Sequence, residues 1–262
     1  MSLSDFSLEN KVALITGGTS GLGKMMALAL AKAGAFVWIA SSRDNADETI
    51  HEIKQQGYGA CFIQADVTSS YALKEAVSKI LNQSNRIDIL VNAAGINLRT
   101  SAEELTLNEW QKTIDINLTA PFYLSQLVAD TMKKNNWGRI INISSVEGRQ
   151  ANKENVSHYI TFKHAMNGFT KAVAFENGAK GITCNAISPG AVETDLMMEQ
   201  GPAAAESMGI SYEEFKQNYA QESSIKRLNT TDEVSGLAVF LCSELGSGIT
   251  GAILPVDGGT SL

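Results

Sequence analysis

Tyr159 and Lys163 stand four residues apart in the run Tyr159-Ile160-Thr161-Phe162-Lys163. On a helix that spacing turns both side chains to one face. The chemistry open to such a pair is proton transfer. A phenol with an ordinary pKa of about 10 is a poor base at neutral pH, but a neighbouring ammonium favours the phenolate and moves it toward the working range. Such pairs also arise by chance on amphipathic helices, so this one acquires meaning from its surroundings. Ser144 and Ser145 follow the apolar run Arg139-Ile140-Ile141-Asn142-Ile143, and a serine hydroxyl at a strand end can polarise an oxygen. His158 adjoins Tyr159, but neighbours on a helix point about 100° apart. It is expected at the rim or at an interface, outside the chemistry.

A second run with chemical content is Thr16-Gly17-Gly18-Thr19-Ser20-Gly21-Leu22-Gly23. Glycines permit a tight turn and a close approach of backbone to a pyrophosphate. A helix opening at this point presents unpaired N–H donors and the positive end of its dipole. Alone, a glycine cluster of this kind is equally a plain turn between strand and helix.

Strand-like and helix-like segments that could position these residues alternate from end to end. Short apolar runs at residues 11–16 (KVALIT), Phe36–Ser41, Ala60–Gln64, 88–92, 139–144, 182–187 and 253–257 read as strands. Helical spacing covers residues 21–33, 45–56, 70–82, 102–134, 157–177 and 231–243, with Pro121 expected to bend or divide the longest of them. Residues 195–224 read as irregular or short-helical. Strands separated by helices imply an α/β fold of the doubly wound, Rossmann type: a mostly parallel seven-stranded sheet with helices on both faces. With 4 prolines and no composition break, residues 1–262 are read as a single domain. Such folds bind ligands at the carboxyl ends of the strands, which is where each run above falls.

The bulk composition narrows the classes further. Hydrophobic residues make up 44% and charged residues 19%, ordinary for a globular core. A net charge of -7 disfavours nucleic acid or an anionic membrane as partner. The 3 cysteines, Cys61, Cys184 and Cys242, are odd in number and widely spaced, so neither a disulfide framework nor a zinc site is expected. His51 and His164 have no ligand-type companions at metal spacing, and no metal is expected. No apolar stretch is long enough to span a bilayer. Residues 1–10 lack the apolar core of a signal peptide, so the expected location is the cytoplasm.

Taken in order, the motifs resemble those of the short-chain dehydrogenases/reductases. The glycine run reads TGxxxGxG. Asp66-Val67 follows the third strand. Asn92-Ala93-Ala94-Gly95 follows the fourth and looks like the family's NNAG element, with Ala93 in place of the second Asn. Asn117 sits in the run IDINL, Ser144-Ser145 ends the fifth strand, and Tyr159 with Lys163 forms YxxxK. Pro189-Gly190 with Thr194 matches PGxxxT, and VDGG closes the chain. The resemblance implies an NAD(P)(H)-dependent oxidoreductase that interconverts a secondary alcohol and a ketone by hydride transfer, with Tyr159 as general acid/base. A catalytically silent nucleotide-binding scaffold or sensor of the same fold is the alternative. The implied catalytic set is Asn117, Ser145, Tyr159 and Lys163, with Asn117 holding a water that links Lys163 to solvent. Ser145, the second of the pair, is the implied catalytic serine, and Ser144 is then structural. The implied cofactor contacts are Gly17, Thr19, Ser20, Gly21, Leu22, Gly23, Ser42, Arg43, Asp66, Val67, Asn92, Ala93, Ala94, Gly95, Tyr159, Lys163, Pro189, Gly190, Val192 and Thr194. Ser145 and Tyr159 are fourteen residues apart, one more than is usual in the family, and the extra residue is expected within residues 149–156.

The second strand ends Ala40-Ser41-Ser42-Arg43. An acid there would bond the ribose hydroxyls of NAD, whereas an arginine pairs with the 2'-phosphate of NADP. No acid stands at Ser41 or Ser42, so NADP(H) is favoured over NAD(H), with Asp44 as the objection. The resemblance implies a small hydroxy or keto substrate met by Asn97, Leu98, Arg99, Glu147, Arg149, Asn152 and Lys153, under a flap over residues 195–224. Met197, Met198, Met208, Phe215 and Tyr219 either line that flap or pack it onto the body. The hydroxybutyrate enzymes of the family carry a histidine where this chain has Glu147. A homotetramer is implied, with the helices over 102–134 and 157–177 and the last strand at its interfaces.

Overall fold

The computed structural model describes residues 3–42 and 47–262. Its centre is β1 (Val12–Thr16), five residues that are all buried. Successive side chains of a strand alternate between faces. Ala13 and Ile15 enter one core with Val37, Ile39, Leu30 and Leu241, while Val12 and Leu14 enter another with Trp38, Ile80, Leu124 and Ile140. A strand buried on both faces must be apolar throughout, which is why VALIT carries no alternation.

Around β1 lie β2 (Phe36–Ser41), β3 (Ala60–Gln64), β4 (Ile89–Asn92), β5 (Gly138–Ile143), β6 (Ile182–Pro189) and β7 (Ile253–Val256). They form one seven-stranded sheet in the order β3-β2-β1-β4-β5-β6-β7. Every pairing is parallel. The first core packs α1 (Gly21–Lys32), α2 (Asp47–Gln55) and α9 (Thr231–Cys242) onto one face. The second packs α3 (Ser70–Ser84), α5 (Ala120–Lys134) and α6 (Ser157–Asn177) onto the other. The chain runs outward from β1 to β3, then returns to add β4 on the far side of β1. Connections leaving β1 and β4 therefore diverge at their carboxyl ends and open a crevice there.

The long helical stretch departs from expectation in two ways. Residues 102–106 form a turn and a cap, and α4 (Leu107–Ile114) starts only after Thr106, whose hydroxyl and Glu109 make a reciprocal capping box. The irregularity then falls at a π turn over Asp115–Thr119, and Pro121 sits inside the first turn of α5. Pro121 has no N–H to return to the Asn117 carbonyl, four residues earlier, and the widened turn is the helix's adjustment to that missing donor. Residues 195–224 contain α7 (Asp195–Ser207) and α8 (Tyr212–Glu222). Among the described residues no helix is long and apolar enough to cross a membrane.

Candidate active site

The crevice is a cleft of about 460 Å³ over the carboxyl ends of β1, β4, β5 and β6. Its first wall is the glycine run. Gly17 has φ +68°, and a Cβ there would stand 2.9 Å from the Ala94 backbone, so only glycine lets the β1 and β4 ends approach this closely. Gly21, at φ +53°, has nothing within 4 Å of where a Cβ would be and leaves the mouth of α1 open. Ser20 caps α1 without a side-chain hydrogen bond, whereas the hydroxyls of Ser69, Thr106, Ser211 and Thr230 each close their own helix. The first-turn N–H groups of α1 thus keep their capacity for an anion. This open cradle and its uncapped helix fit the pyrophosphate of a dinucleotide.

Tyr159 and Lys163 lie on α6 and Ser145 just past β5, and all three line the cleft with Asn117 from the π turn. Lys163 is buried, and its Nζ donates to the Ile143 carbonyl at 2.7 Å and stands 5.3 Å from the centre of the Tyr159 ring. Burial, with no carboxylate to offset it, brings the Lys163 pKa down to about 8. The Tyr159 phenol moves the other way. Burial raises it, hydrogen bonding with Ser145 opposes the rise, and the charge of Glu147 adds to it. Lys163 is not among the groups that move it, so the lowering expected from the ammonium is not seen in this arrangement, where withdrawal from water penalises the charged forms of both residues. Ser144 also lines the cleft, but its hydroxyl donates to Asn167 Oδ1 at 2.7 Å, and Asn167 Nδ2 donates to the Gly148 carbonyl at 2.8 Å. That side-chain pair ties the strand end to α6. Asn117 Nδ2 donates to the carbonyls of Ile96 and Thr113, each at 3.0 Å, and so locks the π turn to the segment after β4.

Of the residues singled out from the sequence, Gly17, Ser20, Gly21, Leu22, Gly23, Ala93, Ala94, Gly95, Asn97, Asn117, Ser144, Ser145, Tyr159, Lys163, Pro189, Gly190, Val192 and Thr194 come together around this cleft. Thr19, Ser42, Asp66, Val67 and Asn92 are not in its lining. Asn92 Nδ2 instead donates to Asn142 Oδ1 at 2.8 Å within the sheet, and Asp66 Oδ1 accepts from the N–H and hydroxyl of Thr68 in a local turn. Arg43 and Asp44 lie outside the described residues. Ile96 and Ile143 line the cleft and were not anticipated. Ile143 contributes through its carbonyl, which no side-chain motif reports. His158 corrects an expectation: it is 0% exposed and packs 6.4 Å from the Phe162 ring, so it belongs to the interior beneath α6.

The flap residues separate by exposure. Met198 and Met208 are exposed, while Phe215 is buried between Tyr212 and Tyr219 on one face of α8. Lys153, in the loop after β5, pairs with Glu222 at 3.3 Å and lies 4.7 Å over the Tyr219 ring. Arg99 Nη2 reaches the Tyr219 hydroxyl at 3.4 Å. The loops after β4 and β5 thus both hold α8.

Comparison with known proteins agrees with this geometry. A family model described as enoyl-(acyl carrier protein) reductase matches residues 17–261. The chain is 35% identical over 257 residues to the 3-oxoacyl-[acyl-carrier-protein] reductase of Aquifex aeolicus, covering 97% of this chain and 99% of that protein. It is 38% identical over 255 residues to the D-beta-hydroxybutyrate dehydrogenase of Cupriavidus necator, covering 96% and 98%. The NADP-bound structure of an Agrobacterium tumefaciens protein, proposed as a 2-deoxy-D-gluconate 3-dehydrogenase, superposes with a TM-score of 0.86 at 34% identity over 98% of both chains. With a dinucleotide cradle at the β1–β4 crevice and relatives of this kind along its whole length, the chain belongs to the short-chain dehydrogenase/reductase family of oxidoreductases.

Proposed function

We propose that this protein interconverts a secondary alcohol and a ketone, with NADP(H) preferred over NAD(H), and that Tyr159 carries the proton. The observation that supports it most is the convergence of Ser145, Tyr159 and Lys163 in one cleft with the open mouth of α1. The residues of that mouth, with Ala93, Ala94, Gly95, Pro189, Gly190, Val192 and Thr194, would hold the dinucleotide. When bound, the nicotinamide supplies or accepts the hydride at the substrate carbon.

The chain's own groups do the rest. The Ser145 hydroxyl fixes and polarises the substrate oxygen. Tyr159 rests as a neutral phenol, because burial raises its pKa, and that form is suited to giving a proton to a carbonyl oxygen. In the oxidative direction the phenol must ionise. The Lys163 ammonium, anchored on the Ile143 carbonyl, lowers the cost of that step. The names of the relatives cover an oxoacyl thioester, a hydroxy acid and a sugar acid. They support the carbinol–carbonyl reaction class and leave the substrate open.

A screen of alcohols and ketones with each cofactor, followed at the nicotinamide absorbance band, tests the reaction class. Within it, Tyr159→Phe should keep cofactor affinity and lose about 10²–10⁴-fold in turnover, the range that general acid–base catalysis contributes. A phenylalanine variant that turns over within a few-fold of the natural enzyme sinks the assignment of Tyr159.

A further inference from the structure

A separate cavity, of about 230 Å³, opens at the amino ends of β5 and β6, the end of the sheet away from the cleft. Arg139 and Thr183, the second residues of these strands, both line it. The parallel register pairs them, so their side chains leave the sheet on the same face. Arg139 is 2% exposed and Thr183 6%. The guanidinium commits Nη1 to the carbonyls of Gly138 and Gly181, at 2.9 and 3.4 Å. Its other edge is idle. Nε has no hydrogen-bond partner among the described residues, and neither has the Thr183 hydroxyl. Nη2 stands 3.7 Å from Glu244 Oε2, too far for a hydrogen bond. A buried cation with an unfilled pair of donors is a costly feature for a fold to keep.

The neighbouring charges do not relieve it. Lys11 Nζ lies 3.8 Å from the centre of the Trp137 ring and the Arg139 guanidinium 4.2 Å from it, so two cations share one aromatic ring. Arg86 and Asp88 satisfy each other in a bidentate pair, both bonds at 2.7 Å. Glu244, just past α9, is the carboxylate that acts on Arg139. It is largely exposed and accepts from the Trp137 indole N–H at 2.6 Å. Lys11 and Arg139 against Glu244 leave one positive charge in excess. Burial lowers the Arg139 pKa despite the opposing charge of Glu244.

We propose that this cavity is a binding site for a small monocarboxylate, held by Nε and Nη2 of Arg139 and by the Thr183 hydroxyl. The Nε–Nη2 edge of a guanidinium presents two parallel N–H groups at the spacing of two carboxylate oxygens. The hydroxyl beside it can donate to the same group. One negative charge cancels the local excess, whereas inorganic phosphate would bring a surplus up against Glu244. A water molecule could fill the idle donors, but it brings no charge, and its share of volume is only about 30 Å³. Glu244 is also in the lining. It approaches the same guanidinium without closing on it, and so competes with the incoming anion. Because the site lies at the opposite end of β5 from Ser145, it stands apart from the alcohol–ketone reading.

Acetate is the probe, titrated into the full chain at ionic strength held constant with sodium chloride, and followed by indole fluorescence and Tm. Both should change saturably, with half-saturation at or below about 10 mM. Arg139→Lys keeps the charge and loses the fork, and should weaken acetate at least about tenfold. Should that variant fail to fold, Thr183→Val carries the test and should weaken acetate at least about threefold. Glu244→Gln keeps an acceptor for the Trp137 indole and removes the competing charge, so it should tighten acetate at least about threefold. The titrations are repeated with NADP+ and with NAD+. An acetate effect that either dinucleotide abolishes belongs to the mouth of α1 and overturns the proposal. So does the lack of any saturable change, which leaves Arg139 a structural residue, or a half-saturation that none of the substitutions moves. Phosphate binding more tightly than acetate, with the same dependence on Arg139 and Thr183, overturns the assignment to a monocarboxylate.

Discussion

Lys163 holds a charge where solvent scarcely reaches. Its folded pKa is about 8 against an ordinary 10.5. Below about pH 8 the amine is protonated both folded and unfolded, and the fold carries the full cost of the buried ammonium. Above about pH 10.5 it is neutral in both states and the cost is gone. Between these values the unfolded chain binds more protons, so this group makes stability rise with pH. Lys163→Met should therefore be more stable than the natural protein at pH 7, by roughly 3 kcal/mol from the size of the displacement, and the gap should close between about pH 8 and 10.5. Denaturant melts of both proteins across that range measure it, and a gap that stays constant with pH means Lys163 is not the group that titrates. The same mutation should abolish turnover, a cost that explains why the lysine is kept. At this scale the Tyr159–Lys163 pair was legible because helix periodicity alone puts both on one face. The burial of His158 and Glu147 was not, because it depends on what the loop after β4, α8 and the loop after β5 lay over them, and no local spacing encodes that.

Strand ends decide which dinucleotide is taken. Beyond β2 the sequence offers Arg43 as the cation for a 2'-phosphate, and α1 carries another cation, Lys24. In the fold Lys24 pairs with Glu48 at 3.6 Å and Glu52 at 3.3 Å on α2, so its charge is directed at the neighbouring helix. Ser41 is buried, and Ser42, exposed at the strand end, has a hydroxyl that can donate to a phosphate. Removing one charge-assisted contact costs about 1.5–3 kcal/mol, or about 10- to 150-fold in affinity. Arg43→Ala should weaken NADP(H) by that factor and NAD(H) little, while Lys24→Ala should change the ratio of the two hardly at all. Michaelis constants for both cofactors in each protein settle it: a natural preference for NAD(H), or an equal loss of both in the arginine variant, removes the case for NADP(H). Most elements could be read from the sequence because parallel strands buried on both faces are short apolar runs ended by glycine or a polar residue. The π turn could not. Pro121 signalled a disturbance in the helix, but the helix absorbed the missing donor one turn upstream, at Asn117 itself, so the disturbance positions a cleft residue where a bend had been expected.

On the whole molecule, two separate surfaces are left uncovered, one of apolar side chains and one of strand backbone. Leu107 on α4 is 85% exposed, Phe122 on α5 49% and Phe175 on α6 93%. The Phe122 ring meets Phe169 of α6 at 6.1 Å, edge to face, which joins α5 and α6 into one apolar surface. At the far edge of the sheet β7 pairs only with β6 and leaves a row of backbone groups unmatched, which folds usually cover. Isolated exposed apolar residues are ordinary, but aromatic residues clustered across neighbouring helices mark an association surface. Two different self-complementary surfaces, each used about its own two-fold axis, close into a tetramer of dihedral symmetry. Light scattering at micromolar concentration should accordingly give about four times the 28.1 kDa of one chain. Phe122→Asp combined with Phe175→Asp buries charge only in the helix-mediated contact, so it should yield dimers held through β7, with a Tm that is lower and more dependent on protein concentration. A monomer for the natural chain rules the assembly out, and a tetramer that survives the double substitution shows that the helix surface is not part of it.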